Sequence, residues 1–350
     1  MLGEPNMQLD SFHSRKRKRG SLVKKIIIAL VIAVLAFGVW RAFASRGFAA
    51  FLADLKRALA QTNLLLFCLA IGVYLLSIPL AVLSWNAILK VFGSAVPAIQ
   101  LIPILMAGVF VNNITPMSRT GGEIVRVYGL REKFKLPYTI GILSVALSKL
   151  TEIIPLGLMG LIGAFALIQS RIITWEQFGF IGAMGCFVIG ISAWGFCKKR
   201  CMATLWSRLL RYFLRKEQKH SGKQVTIEEI TWSIRQKKRF GESLLFSSAL
   251  WALALLRFKV LAYALGIELS FSMAAAATVW CIAIGLLAFT PGGIGIVEGG
   301  LVAAFVLMGV PPPQAFALTV LERAISYILG TGIGAVCLFG LGGRWLWVKT

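Results

Sequence analysis

The chain has 350 residues, of which 58% are hydrophobic and 15% charged. A soluble domain carries about 25% charged residues, so that class is excluded for most of the chain. Lys and Arg outnumber Asp and Glu 37 to 14, a net charge of +23, which would suit nucleic acid. The cations, however, cluster in short stretches beside apolar runs, seven between residues 15 and 25 and thirteen between 198 and 239. Cytoplasmic loops of multipass membrane proteins have that pattern, so the expected partner of 198–239 is anionic inner-leaflet lipid and not nucleic acid.

Residues 1–21 read as a basic cytoplasmic tail. A spanning helix needs about 20 apolar residues, and the first such run is 22–43. Its apolar part, Ile26 to Trp40, lacks a small-residue cleavage site followed by a polar mature region, so a retained span is predicted. Further spans are predicted over 63–85, 138–168, 178–197, 244–265 and 314–340. The runs 99–114 and 272–289 are shorter, and each leads into the same pattern: TPMSRTGGE at 115–123 and TPGGIGIVE at 290–298.

After the first break, the chain reaches Arg126, Arg131, Lys133 and Lys135, which belong on the cytoplasmic side. Residues 99–130 are therefore predicted to enter and leave by that face as a re-entrant hairpin. With this reading the thirteen-cation stretch also falls in the cytoplasm; a full crossing would put it outside. The second hairpin, 272–300, enters from outside, with no Lys or Arg from Phe271 to Glu322. Arg41, Arg46, Lys56 and Arg57 make the first outer loop more basic than this topology favours.

The predicted fold class is an all-α polytopic membrane protein of about eight membrane segments, two of them re-entrant hairpins. Its halves have the same order of elements and opposite orientation, an inverted-topology repeat. The first repeat occupies 22–172, and 173–197 is the linking span of the second. Residues 198–243 form a basic amphipathic loop, and 244–350 complete the second repeat. In the loop, Trp206, Leu209, Leu210, Phe213 and Leu214 oppose Arg208, Arg211 and Arg215, a helix lying on the inner leaflet. Thr226 and Glu229 then form a capping box. Both termini are placed on the cytoplasmic side of the plasma membrane.

Four acids lie within the apolar body, Glu123, Glu152, Glu298 and Glu322, together with the cations Arg119, Arg126, Lys149 and Arg323. Each charge at the bilayer centre costs about 2.5–3.5 kcal/mol, so they must pair or face water. Lys149 with Glu152, and Glu123 with Arg126, share a helical face. Glu322 and Arg323 are adjacent and point apart. Lys149 follows Glu123 by 26 residues and Arg323 follows Glu298 by 25, so each hairpin glutamate is expected to meet the cation of the following helix. For Lys149–Glu152 a structural ion pair and a pathway role are equally open. For the hairpin glutamates the pathway reading is preferred, because intramembrane charge on broken helices marks transport routes.

Pro116 and Pro291 break their helices, and Gly121, Gly122, Gly292, Gly293 and Gly295 are the candidate hinges. The half-helix that follows each break begins with free N–H groups suited to an anionic headgroup. Gly330, Gly332 and Gly334 fit close helix packing as well as they fit a functional role. The six cysteines, Cys68, Cys186, Cys197, Cys201, Cys281 and Cys337, and two histidines form no metal-binding spacing, so neither metal nor cofactor is expected. No His-Glu-x-x-His, Walker A or G-x-S-x-G occurs, and a catalytic role would rest on the four acids alone.

NNITPMSRTGGEIVRVYGL at 112–130, SKLTE at 148–152, and TPGGIGIVEGG at 290–300 with LERAISYILG at 321–330 resemble the lysylphosphatidylglycerol synthase transmembrane-region family. That family is similar to the flippase half of the bacterial multiple peptide resistance factor. The likeness covers about residues 20–340. It implies movement of a polar-headed lipid between leaflets, with Glu123, Lys149, Glu152, Glu298 and Arg323 at matching motif positions. Thr290 stands where the family commonly has Leu, and no aminoacyl-transferase domain follows before Thr350, so lysyl transfer by this chain is not expected. The reading is a flippase working by alternating access. The alternative is a membrane component or acceptor-binding partner, or a scaffold, for a glycosyl- or aminoacyl-transferase acting on phospholipid or polyprenyl-phosphate.

Overall fold

A computed structural model describes residues 48–94, 96–115, 121–169, 237–288 and 290–342. The predicted spans 22–43 and 178–197, the basic tail, nearly all of the 198–243 loop, Pro116, Arg119, Cys186, Cys197 and Cys201 lie outside the described residues. Every regular element described is helical: α1 (Phe48–Ala60), α2 (Leu64–Val91), α3 (Ala98–Ile114), α4 (Gly121–Phe134), α5 (Tyr138–Gln169), α6 (Lys237–Ala264), α7 (Phe271–Leu287), α8 (Ile296–Leu307), α9 (Pro312–Arg323) and α10 (Gly330–Gly340). Four stretches are long and apolar enough to cross a membrane, Leu64–Val91, Tyr138–Phe165, Lys238–Ala264 and Pro312–Gly340. α3, α7 and α8 are apolar but shorter.

Two boundaries depart from expectation for a physical reason. α2 was expected to stop at Trp85, before the polar Asn86. It runs on to Val91 because that end is wrapped in protein: Asn86 is 2% exposed and its Nδ2 donates to Val96 O at 2.6 Å. α1, between the first two predicted spans, was not anticipated; it keeps Lys56 and Arg57 exposed. The last span also carries an irregularity no pattern announced. Between α9 and α10 its hydrogen-bond ladder widens to π-helical over Ala324–Leu329, a feature concentrated at functional sites.

The packing of the unit from Leu55 onward rests on two apolar cores. Val82, Trp85 and Leu89 of α2 close on Leu101 and Ile104 of α3, Leu130 of α4 and Val145 of α5. Ala70, at the other end of α2, joins Phe258 and Leu261 of α6, Leu301 and Phe305 of α8, and Leu318 of α9. α2 and α6 make the most extensive helix contact among the described residues. α3 lies against α10, and α7 against α5. The outer faces stay apolar: Leu65, Ile162, Leu245, Val336 and Phe339 are all more than 60% exposed, as lipid-facing side chains should be.

Glycines make the closest of these approaches. A Cβ on Gly334 would collide with Met106 O and Phe110 of α3, and one on Gly330 would meet the Tyr74 hydroxyl at 2.5 Å. Gly332, between them, faces open space. Of the three glycines weighed for packing, two serve it.

Candidate functional site

Each Thr-Pro break is built from local hydrogen bonds that replace the lost ladder. In the first, the Thr115 hydroxyl donates back to Val111 O at 2.7 Å, and Asn112 Oδ1 accepts the Gly122 N–H at 2.7 Å. In the second, the Thr290 hydroxyl donates forward to Ile294 O at 2.9 Å. Pro291–Gly293 makes a single 3₁₀ turn there, with Gly292, Gly293 and Gly295 at φ of 61°, 72° and 84°. These three need the left-handed freedom of glycine. Gly121 and Gly122 do not, since both sit inside α4; a Cβ on Gly122 would instead strike Gly108 O and Asn112 of the preceding helix. They are contact glycines, not hinges by dihedral angle.

The two breaks touch. Asn113, at the end of α3, donates through Nδ2 to Thr331 Oγ1 at 2.8 Å, and its carbonyl accepts the Tyr327 hydroxyl at 3.4 Å. Gly292 presses so close that a Cβ there would lie 2.7 Å from Asn113 O. A short bifunctional thiol reagent is therefore expected to join Asn113→Cys to Thr331→Cys. The check is a cross-linked peptide pair by mass spectrometry, and its absence would contradict the contact.

Around the first break, Glu123 lies 3.4 Å from Lys149 Nζ and 3.4 Å from Arg126 Nη1, and Lys149 lies 2.9 Å from Glu152. The Arg126 guanidinium also stacks over Trp85, 5.1 Å from the ring centre, a contact that suits a cation drawn from water. Lys149 is the most open member, its side chain 43% exposed. Around the second break, Glu298 Oε1 accepts from Arg323 Nε at 2.6 Å, and Arg323 Nη2 donates to Gly292 O at 2.8 Å. Arg323 also lies over the Tyr327 ring at 4.7 Å. Each hairpin glutamate thus sits beside the cation of the following span.

Neither half-helix start offers the open N–H expected for a headgroup. The Gly122 N–H is taken by Asn112, and the Gly295 N–H by Glu298 Oε2 at 2.6 Å. The anion at the start of α8 is the chain's own carboxylate, placed where backbone donors and the helix dipole favour it.

Glu322 belongs elsewhere. It is 1% exposed and pairs with Arg257 Nη2 of α6 at 2.9 Å, while Ser326 Oγ donates to its other oxygen at 3.1 Å. Sequence reasoning missed Arg257, although a cation six residues after Trp251 in the span 244–265 was signal enough. Asn113, Tyr327 and Thr331 were missed as well, because their roles arise from elements more than 200 residues apart. Among the described residues no three His, Cys, Asp or Glu side chains converge as metal ligands.

Two comparisons bear on this arrangement. Residues 26–334 match the family described as the lysylphosphatidylglycerol synthase TM region. A UPF0104 membrane protein of Methanothermobacter thermautotrophicus is 27% identical over 340 residues, covering 92% of this chain and 93% of that protein. One of Pyrococcus horikoshii is 27% identical over 307 residues, 80% and 88% respectively, and one of Methanocaldococcus jannaschii is 24% identical over 266, 73% and 78%. The relatives' names state membrane residence and no activity. With four spanning helices described and a family match over most of its length, the chain is a multi-pass membrane protein of the lysylphosphatidylglycerol synthase transmembrane-region family.

Proposed function

We propose that this protein is a lipid flippase: it moves a polar- or anionic-headed lipid between leaflets of the cytoplasmic membrane by alternating access, with both termini in the cytoplasm. The observation that carries the reading is the meeting of two broken, charge-bearing helices inside an apolar bundle. Irregular backbone at membrane depth is tolerated only where protein buries it or a polar cavity is lined by it, and paired charges there mark pathways.

The inverted repeat is the second support. α2, α3, α4 and α5 start at residues 64, 98, 121 and 138; α6, α7, α8 and α9 start at 237, 271, 296 and 312, which is 173, 173, 175 and 174 later. Under that offset Glu123 corresponds to Glu298 and Lys149 to Arg323. The packing corresponds too: α3 against the last span maps onto α7 against α5, and the α2–α6 contact maps onto itself. With α3–α4 and α7–α8 as opposed re-entrant hairpins, the two breaks form the gates of one central site.

The test is movement of headgroup-labelled phospholipid in proteoliposomes. Glu123→Gln and Glu298→Gln are each expected to slow it about tenfold or more, equivalent to about 1.4 kcal/mol in barrier. Unchanged rates in both variants would remove the gates from the mechanism.

A further inference from the structure

The α2–α6 contact is a natural internal comparison, because the same crossing occurs twice under the repeat and is closed in two chemically different ways. At one end Ser84 of α2 meets Ser247 and Ser243 of α6 at 2.8 and 3.0 Å, and Thr151 of α5 meets Ser243 at 2.9 Å. All four are buried, and their hydroxyls satisfy one another without any charge. At the other end the corresponding positions hold Arg257 for Ser84, Tyr74 for Ser247, and Glu322 for Ser148. Ser84 and Arg257 each lie seven residues before the end of their helix.

The fold therefore closes this crossing with neutral hydroxyls in one half and spends a buried ion pair on it in the other. That pair is also incomplete. Arg257 Nε is buried with no hydrogen-bond partner, and a buried pair offsets its desolvation only when its remaining donors are satisfied. The groups that face Glu322 are Arg257 from α6, the Tyr74 ring of α2, 5.4 Å from the Arg257 guanidinium, and Ser326 on its own helix. Arg323, next in sequence, is committed to Glu298 on α8. The carboxylate is sealed, at 1% exposure, so a headgroup has no room beside it.

We propose that Glu322 is the site of a coupling proton, with Arg257 as its electrostatic counterweight; the transport role rests on the flippase reading, the proton site does not. A proton from water adds to a Glu322 carboxylate oxygen, giving the neutral acid, and the charge-assisted bond from Arg257 is lost. Arg257 then stands as an unbalanced buried cation with vacant donors at Nε and Nη2, a state that favours an anionic group on a moving lipid. The π-helical stretch after Arg323 places Ser326 against Glu322 and Tyr327 against Arg323. One helix segment thus joins the proton site to the second gate.

Infrared difference spectra of the purified protein in vesicles, acid minus alkaline buffer, read this without lipid transport. A protonated-carboxyl band is expected in wild type and in Glu298→Gln and is expected to be lost in Glu322→Gln. The double variant Arg257→Ser with Glu322→Ser, which installs the hydroxyls of the first half, guards against misfolding and should also lack the band. If either variant of Glu322 keeps the wild-type band, or wild type shows none, the proton site is overturned. In proteoliposomes, a pH gradient is expected to accelerate labelled-lipid movement in wild type and to have no effect on the double variant. A band that depends on Glu322 in a protein that moves no lipid would retain the proton site and sink only its coupling role.

Discussion

Arg257→Ala is expected to lower stability by about 3–5 kcal/mol, because removing one partner of a buried ion pair leaves the other charge uncompensated. The residue left behind is Glu322, 1% exposed, with only the Ser326 hydroxyl still donating to it. The double variant Arg257→Ser with Glu322→Ser removes both charges and is expected to stay within about 1 kcal/mol of wild type, since replacing a whole buried pair is often neutral or stabilising. Equilibrium unfolding in mild detergent with added denaturant distinguishes the two. A double variant as unstable as the single one would mean that the charges themselves hold the crossing together. The hydroxyl crossing at Ser84, Ser243, Ser247 and Thr151 argues for the opposite result, being closed and neutral in the same molecule.

The second large effect is expected from the face of the last span that meets α3. Gly334→Leu puts a side chain where even a Cβ would collide with Met106 O and Phe110. Backbone cannot yield as a flexible side chain can, so the cost is expected at the upper end of the about 1–3 kcal/mol typical of overpacking. The strain falls on α3, whose end carries the Asn113 contacts to Thr331 and Tyr327. Loss of the Asn113–Thr331 cross-link should therefore accompany the drop in thermal stability. Gly332→Ala, two residues away and facing open space, is expected to be neutral or to gain about 0.5–1 kcal/mol from reduced backbone freedom. Equal losses at both positions would show that helix propensity, not packing, sets the response.

Much of the fold was legible because membrane segments announce themselves by length and hydropathy. The spans predicted at 63–85, 138–168, 244–265 and 314–340 fall on α2, α5, α6 and α9–α10. The breaks were equally legible, since proline in a short apolar run forces one. Legibility failed where protein, not lipid, surrounds the helix. Asn86 and Lys90 read as the edge of a span, yet α2 continues through them into a buried segment. The π-helical turn was hidden for the same kind of reason: Ala324–Leu329 is ordinary helical sequence, and its widened ladder goes with side-chain partners on other helices.

The charges divide in the same way. Their number and rough depth follow from sequence, and the need for partners follows from the cost of charge in hydrocarbon. Repeat spacing was enough to single out Lys149 for Glu123 and Arg323 for Glu298, which lie 3.4 and 2.6 Å apart. It could not supply Arg257 for Glu322, because the first half holds serine at both corresponding positions and gives the spacing nothing to match. Nor could it show that the headgroup-binding donors expected at the half-helix starts are occupied by Asn112 and Glu298.

By itself, then, the sequence determined that this chain lives in a membrane, where its helices break, and that its acids must find cations. Those are local or compositional facts, set by transfer energy and by proline. Only the tertiary structure decided that the two breaks touch through Asn113, Gly292 and Tyr327, and that Glu322 turns away from Arg323 to a helix 65 residues earlier. Such contacts depend on which helix faces pack together, and side-chain direction around a helix becomes a neighbour only when another helix is there to meet it.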